Sequence, residues 1–298
     1  MLFSAGMAVA SEAPASFRSS AIRPGALALI ATGFLELLSR RRLIRYLVQA
    51  DLKKTGANTI LGNVWWVVDP LLQMLVYVIL VSVIFNRTVP GGAYPLFIFC
   101  AILPWKWFTS SINDGISSVV SMERLIKQIN FPKLVLPVAG VVAGVANFFF
   151  GLIPLAVLIV LFFGDRAYSY VYLVPVVALV QLLFSLPFAI VLGAINVFYR
   201  DVGNLSRHVL RLAFYVSPGI YHLDLLLNNR VTEAHPFLKT LVLANPWTIL
   251  FESYRDVIYD NKPPQWIPLI ALSAASLVLL AIAILIFKRL EPTFAKVL

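Results

Sequence analysis

The sequence predicts an all-α polytopic membrane protein with six transmembrane helices, and three observations carry that prediction. Of 298 residues, 60% are apolar and 13% charged, with a mean hydropathy of +0.87; a soluble average is about half apolar and a quarter charged. Several apolar runs reach the roughly 20 residues that a hydrocarbon core about 30 Å thick demands of a helix. Basic residues gather in alternate connecting segments, as expected of a chain that crosses repeatedly with its positive loops on one side. Together these exclude a soluble enzyme, a disordered chain and a disulfide scaffold.

In chain order, residues 1–33, rich in Ala, Ser and Pro, read as a weakly ordered tail before one transmembrane domain, 34–298. A short apolar run at the start has no basic region before it, so no signal cleavage is expected. Residues 34–54 place Phe34, Leu37, Leu38, Ile44, Leu47 and Val48 near one helical face, with Arg40, Arg42 and Arg45 elsewhere. This is an amphipathic helix lying on the inner leaflet; its pattern fits a mere anchor and a working element equally.

Residues 64–85 form the first expected span, interrupted by Asp69, Gln73 and Ser82, and residues 97–120 the second, after the turn-forming stretch PGGAYP. Residues 134–163 and 171–198 hold only uncharged polar groups such as Asn147, Gln181 and Asn196, and are spans three and four. Residues 267–287 are the last, ending at Lys288 and Arg289.

Between them the apolar pieces are short and broken by Pro218, Asn245 and Pro246. Parity helps. Arg40, Arg41, Arg42, Arg45, Lys53 and Lys54, then Arg124, Lys127 and Lys133, then Arg200, Arg207 and Arg211, and finally Lys288, Arg289 and Lys296 all fall on one side, the cytoplasmic one. The opposite side holds Arg87, Lys106 at the rim, Arg166, and a mixed-charge segment with Arg230, Lys239, Arg255 and Lys262. An odd number of crossings must follow Arg211. One, at residues 212–227, is the economical answer, and residues 237–251 then stay outside as short interfacial or re-entrant helices. Both termini are cytoplasmic.

This topology accounts for the net charge of +10, so no nucleic-acid partner is expected. A single cysteine, Cys100, closes no internal bridge, and His208, His222 and His235 have no metal-ligand spacing. No GxxxxGK[ST] loop is present, so nothing cradles ATP phosphates in that way. An embedded glycosyl or acyl transferase would need clustered acids, a catalytic histidine or a metal motif at one membrane face, and none is visible. Asp69 and Asp114 lie in expected spans, where a central charge costs about 2.5 to 3.5 kcal/mol. Asp69, before Pro70, is expected to reach water or cap a kink. Asp114 reads as a satisfied buried acid or as part of a pathway or dimer seam.

In the loop SMERLIKQINFPK, Met122, Leu125, Ile126 and Ile129 recur at helical spacing while Glu123, Lys127 and Gln128 face away. Ser121 is expected to cap this short helix, Glu123 suits its positive end, and Pro132 stops it. It is either a lever pressed by a soluble partner or a loop helix packed on lipid.

The run DLKKTGANTILGNVWWVVDPLLQMLVYVILVSVIF resembles the entry to the first span of ABC-2 type permeases, the membrane subunits of ATP-driven exporters of polysaccharides and lipid-linked glycans. Four further segments agree in order: RLIKQINFPKLVLPVAG, VFYRDVGNLSRHVLRLAFYVSPGIY, NPWTILFESYRD and EPTFAKVL. The resemblance covers nearly everything after about residue 34. It departs just before LG, where many relatives are more basic than KKTGANT.

The resemblance implies a permease of the bacterial cytoplasmic (inner) membrane that dimerises with a second copy and docks two nucleotide-binding ATPase subunits, which carry the ATP and Mg. This chain itself would bind no cofactor and do no chemistry. It also implies a coupling helix at residues 121–132, with Ser121, Glu123, Arg124, Lys127, Phe131 and Pro132 as its contacts. Arg200 and Asp201 match the family's Arg-Asp pair after span four, and the broken outer segment matches short gate helices. The implied substrate is a lipid-linked glycan of O-antigen or teichoic-acid type, the alternative being a lipid or drug. A sliding sugar chain favours aromatic rings with few fixed charges. Trp65, Trp66, Tyr77, Phe214, Tyr215 and Tyr221 are the candidates, although interfacial aromatics are common in any membrane protein. Arg40, Arg42, Arg45 and Lys53 are candidates for a lipid pyrophosphate, and the positive-inside bias predicts them equally.

Overall fold

A computed structural model describes residues 25–56, 60–86, 89, 92–164 and 169–298. Among them every regular element is helical. Arg87, Arg166 and residues 1–24 of the expected tail lie outside the described residues. The leader forms two helices, α1 (Ala26–Ser39) and α2 (Arg41–Gly56), rather than one. Helix thus begins inside the expected 1–33 tail, and its apolar sequence ALALIATGFLELLS gives the reason: this piece has a surface to bury. Gly33 packs so closely on the last helix that a Cβ there would stand 2.4 Å from Ile284.

Among the described residues five helices are long and apolar enough to cross a membrane. They are α3 (Trp65–Val78, continued by a π-helical segment Ile79–Ile84), α4 (Tyr94–Ser121), α6 (Val135–Phe163), α7 (Val174–Phe198) and α13 (Trp266–Val297). Between α4 and α6 lies the short α5 (Glu123–Gln128). The fifth expected span, residues 212–227, does not form as one helix. Instead α8 (Val202–Val216) starts earlier and runs 15 residues, fewer than the roughly 20 of a straight crossing. It ends where Ser217 turns extended, with ψ 151°, because Pro218 disfavours helical backbone at the residue before it. Four short helices follow, α9 (Leu223–Leu227), α10 (Arg230–Ala234), α11 (Pro236–Ala244) and α12 (Pro246–Ile258).

The bundle is built around α4, which packs against α3, α6, α7, α8 and α12. Small residues set the α4–α7 crossing. A Cβ on Gly115 would meet the Ala189 Cβ at 2.6 Å, and one on Gly193 would meet the Gly115 carbonyl at 2.6 Å. Nearby, Trp105, Phe108, Phe184, Trp247 and Phe251 interlock, with Trp105–Trp247 and Phe108–Trp247 centroids each 4.7 Å apart. The buried Gln181 donates to the Pro104 carbonyl at 2.8 Å and accepts from the Tyr254 hydroxyl at 2.9 Å. This polar tie joins α4, α7 and α12 where an unpaired amide would be costly. Outward, Leu72, Val76, Ile153, Val160, Leu161, Ile270 and Val278 stay exposed, which suits hydrocarbon as the surrounding solvent.

Candidate functional site

A cavity of about 300 Å³, lined by polar and apolar groups in nearly equal measure, opens between α3, α4 and α8. Each helix offers one face to it, recurring once per turn: Gln73 and Tyr77 from α3; Trp105, Lys106, Thr109 and Asn113 from α4; Arg207, Leu210, Arg211, Phe214 and Tyr215 from α8. Phe214 seals one side, 5.2 Å from the Trp105 ring and 5.9 Å from the Tyr77 ring. Lys106 is hydrogen bonded to Asp69 of α3, so the expected reach of Asp69 to water is met by an ion pair across two helices, with the carboxylate side chain still 64% exposed.

The sequence placed some of these groups elsewhere. Lys106 lies in the middle of α4, not at its rim, and Arg207 and Arg211 belong to a helix, not a connecting loop. The cavity therefore carries three cationic residues, where few fixed charges were expected. The signal was present in the polar spacing of Asn204, Arg207 and Arg211, which makes α8 amphipathic. Of the six aromatic candidates, Tyr77, Phe214 and Tyr215 line this cavity. Trp65 and Trp66 line a second one on the neighbouring flank of α4. Tyr221 lies past α8, its hydroxyl donating to the Tyr215 carbonyl at 3.0 Å, and burial pushes its phenol above the ordinary value. Trp105, missed in the sequence, lines the first cavity.

At the far end of the bundle, α5 is held by Ile126, 5% exposed in a core with Val119, Leu134, Val135, Phe287 and Phe294. Its outer face presents Arg124, Lys127 and Gln128. Ser121 does not cap it: that residue ends α4, and its hydroxyl donates back to the Ser118 carbonyl at 3.1 Å. Nor does Pro132 stop it, because the backbone is already extended at Ile129. Phe131 and Pro132 are half-buried beyond it. Lys127 pairs with Glu123 at 2.7 Å; this bond and the charges of Lys127, Arg200 and Arg124 hold the Glu123 carboxyl below its ordinary value. Arg200 and Asp201 are both exposed in the turn between α7 and α8, so that turn brings Arg200 within the field of α5. On α2, Arg41, Arg42 and Arg45 surround a shallow cavity, while Arg40 sits at the break before it and Lys53 is exposed one turn from its end.

The opposite end is tied together by an arginine of the mixed-charge segment. Arg255 of α12 is 2% exposed. Its guanidinium donates to the Pro218 and Gly219 carbonyls at 2.6 and 2.7 Å and to Glu252 at 2.9 Å, and lies 3.8 Å from the Phe97 ring centroid. The fork thus ties the broken segment after α8 to α12 and α4, and burial lowers its pKa. Among the described residues no cluster of His, Cys, Asp and Glu is arranged to hold a metal.

No protein-family model matches the chain. It is 36% identical over 262 residues, 88% of its length and 97% of the relative's, to the O-antigen export system permease protein RfbA of Myxococcus xanthus. Two proteins of the same name from Klebsiella pneumoniae are 25% and 24% identical over 257 residues, 86% of this chain and 95% of each relative.

Proposed function

Because the chain belongs to the ABC-2 type family of O-antigen export permeases, we propose that it is the membrane subunit of an exporter that carries lipid-linked O-antigen across the bacterial cytoplasmic membrane. The observation that carries this reading is the cavity between α3, α4 and α8. Its rings offer C–H stacking surfaces to sugars, its amides, hydroxyls and phenols offer hydrogen bonds, and Lys106, Arg207 and Arg211 suit a phosphate-linked headgroup. A lipid or drug pocket would instead be mostly apolar, and the relatives' names do not favour that alternative.

In this reading two copies of the chain face each other, and the cavities of the pair form one path. Two ATPase subunits with bound ATP and Mg press on α5, with Glu123, Arg124 and Lys127 at the contact, and Ile126 transmits the displacement into the α4–α6–α13 base. That end is cytoplasmic, as are both termini. Arg40, Arg42, Arg45 and Lys53 meet lipid phosphates at the inner leaflet, and α9–α12 form the outer gate. Proteoliposomes holding the permease with its ATPase and loaded with radiolabelled lipid-linked O-antigen test the reading. ATP-dependent transfer of the glycan across the bilayer is expected. Hydrolysis without glycan transfer, or transfer of lipid dyes alone, would overturn it.

A further inference from the structure

Along one flank of α4, Lys106, Ser110, Asp114, the adjacent Ser117 and Ser118, and Ser121 recur once per helical turn. They form a polar stripe about 22 Å long inside a helix of membrane-spanning length. Two adjoining cavities run along it, of about 340 Å³ and about 250 Å³, and both are lined by Asp51 and Asp114. The smaller lies between α2, α4 and α6 and reaches Ser121 and Lys54. The larger lies deeper, between α3, α4 and α6, with Trp65, Trp66, Trp107, Asn147 and Phe148 in its wall. Together they make a groove from the α5 end toward mid-helix, separate from the α8 cavity but touching it at Lys106.

The chemistry of the deeper part is unusual for a lipid-facing seam. Trp107 is 3% exposed, and both its indole Nε1 and the Asn147 Oδ1 are buried without a hydrogen-bonding partner among the described residues. A donor and an acceptor left so in a membrane protein each cost free energy; both side chains border the groove, and a ligand bearing both functions would recover that cost once a small side-chain shift turned the two atoms toward it. The neighbouring Asp114 carboxylate accepts one hydrogen bond from Ser110 at 3.0 Å and keeps further acceptor capacity. The Trp66 ring is fixed against Phe150 at 5.0 Å. Asp69 and Asp114 together outweigh the positive charge of Lys106 in this wall, so a phosphate is disfavoured. A neutral, hydroxyl-rich ring matches all of these: vicinal hydroxyls for carboxylate and amide oxygens, a ring or hydroxyl oxygen for the indole N–H, and C–H faces for the tryptophans. The volume lies within the range of small-ligand pockets, about 300–1,000 Å³.

We infer that this groove is a pyranose-binding subsite, which takes one neutral sugar ring of the glycan from the α5 end before the chain reaches the cavity at α8. The inference rests on the glycan reading of the permease and adds to it a second saccharide position.

Saturation-transfer NMR on the purified permease–ATPase complex in detergent tests it, using methyl α-mannopyranoside, methyl α-galactopyranoside and methyl α-rhamnopyranoside, with sugar-free decaprenyl phosphate as the lipid probe. At least one glycoside is expected to bind. Asn147→Leu and Asp114→Asn should each weaken that binding about tenfold or more, roughly 1.4 kcal/mol. Asn147→Leu removes an unpaired buried acceptor, so its thermal unfolding temperature should hold or rise; a merely structural amide would lower it. Glycoside binding untouched by these changes but lost in Tyr215→Ala would move the sugar to the other cavity and overturn the subsite. So would decaprenyl phosphate competing with the glycoside, which would make the groove a lipid site. No glycoside binding by a complex that still exports O-antigen from cells would refute the subsite alone; loss of both would refute the glycan reading with it.

Discussion

The Glu291 carboxylate accepts the backbone N–H of Lys133 at 2.7 Å, tying the end of α13 to the residues that lead into α6. Its other oxygen accepts from Lys288 at 2.7 Å, and Lys288 also donates to Glu36 of α1 at 2.9 and 2.8 Å. One partly buried ion network therefore joins three segments beside α5.

Glu291→Ala leaves Lys288 with one partner and the Lys133 N–H with none. A loss of about 1.5–3 kcal/mol is expected, the range for hydrogen bonds to charged groups, read as a lowered unfolding temperature of the detergent-solubilised permease. Glu36→Ala should cost less, because Glu291 remains to Lys288. Equal effects would contradict the network.

Arg255→Lys keeps the charge but cannot reach the Pro218 and Gly219 carbonyls with one planar fork. The segment after α8 should loosen, so a cysteine at residue 220 should react with a membrane-impermeant maleimide at least severalfold faster than in the parent. Unchanged labelling would show that the latch does not hold the outer segment shut.

Burial pushes the Asp256 carboxyl from an ordinary 3.8 up to about 6, against the opposing pull of Lys262 and with Glu252 and Asp260 reinforcing it. The folded outer segment thus binds a proton more readily than the unfolded chain, and its stability rises as pH falls through 6 and levels off below 3.8. Lys262, raised to about 12, stays charged throughout and adds no slope. Hydrogen exchange of α12, corrected for intrinsic rates, should slow between pH 7.5 and 5, and Asp256→Asn should flatten that dependence.

Arg124→Glu with Lys127→Glu alters only the exposed face of α5 and the pair to Glu123, so insertion and folding should persist while export falls by an order of magnitude relative to ATP hydrolysis. Unchanged coupling would remove α5 as the contact.

A cysteine replacing Lys127 should be labelled only from the cytoplasm and one replacing Lys239 only from outside. The reverse pattern would invert the topology.

Long apolar runs were legible because a hydrophobic helix of sufficient length has one solution in a bilayer. The spans at α3, α4, α6, α7 and α13 follow their expected positions within a few residues, apart from the C-terminal extension of α13. The place of α8 was not legible: its Arg207 and Arg211 resemble loop charges until α4 supplies a polar neighbour. Arg255 was equally hidden, since an arginine in a mixed-charge segment looks solvated until the backbone carbonyls of Pro218 and Gly219 arrive from 37 and 36 residues away.

What the sequence by itself determined was the solvent, the class of fold and the family, because hydropathy, charge placement and segment order are properties of the chain read in one dimension. Which polar groups share a cavity was decided only in three dimensions. Lys106 meets Asp69 across 37 positions, Tyr77 meets Phe214, and Trp107 and Asn147 come to line one cavity only after α4 settles against α3, α6 and α8. A buried charge or amide is tolerable only with a partner, and that partner comes from packing rather than from neighbouring sequence.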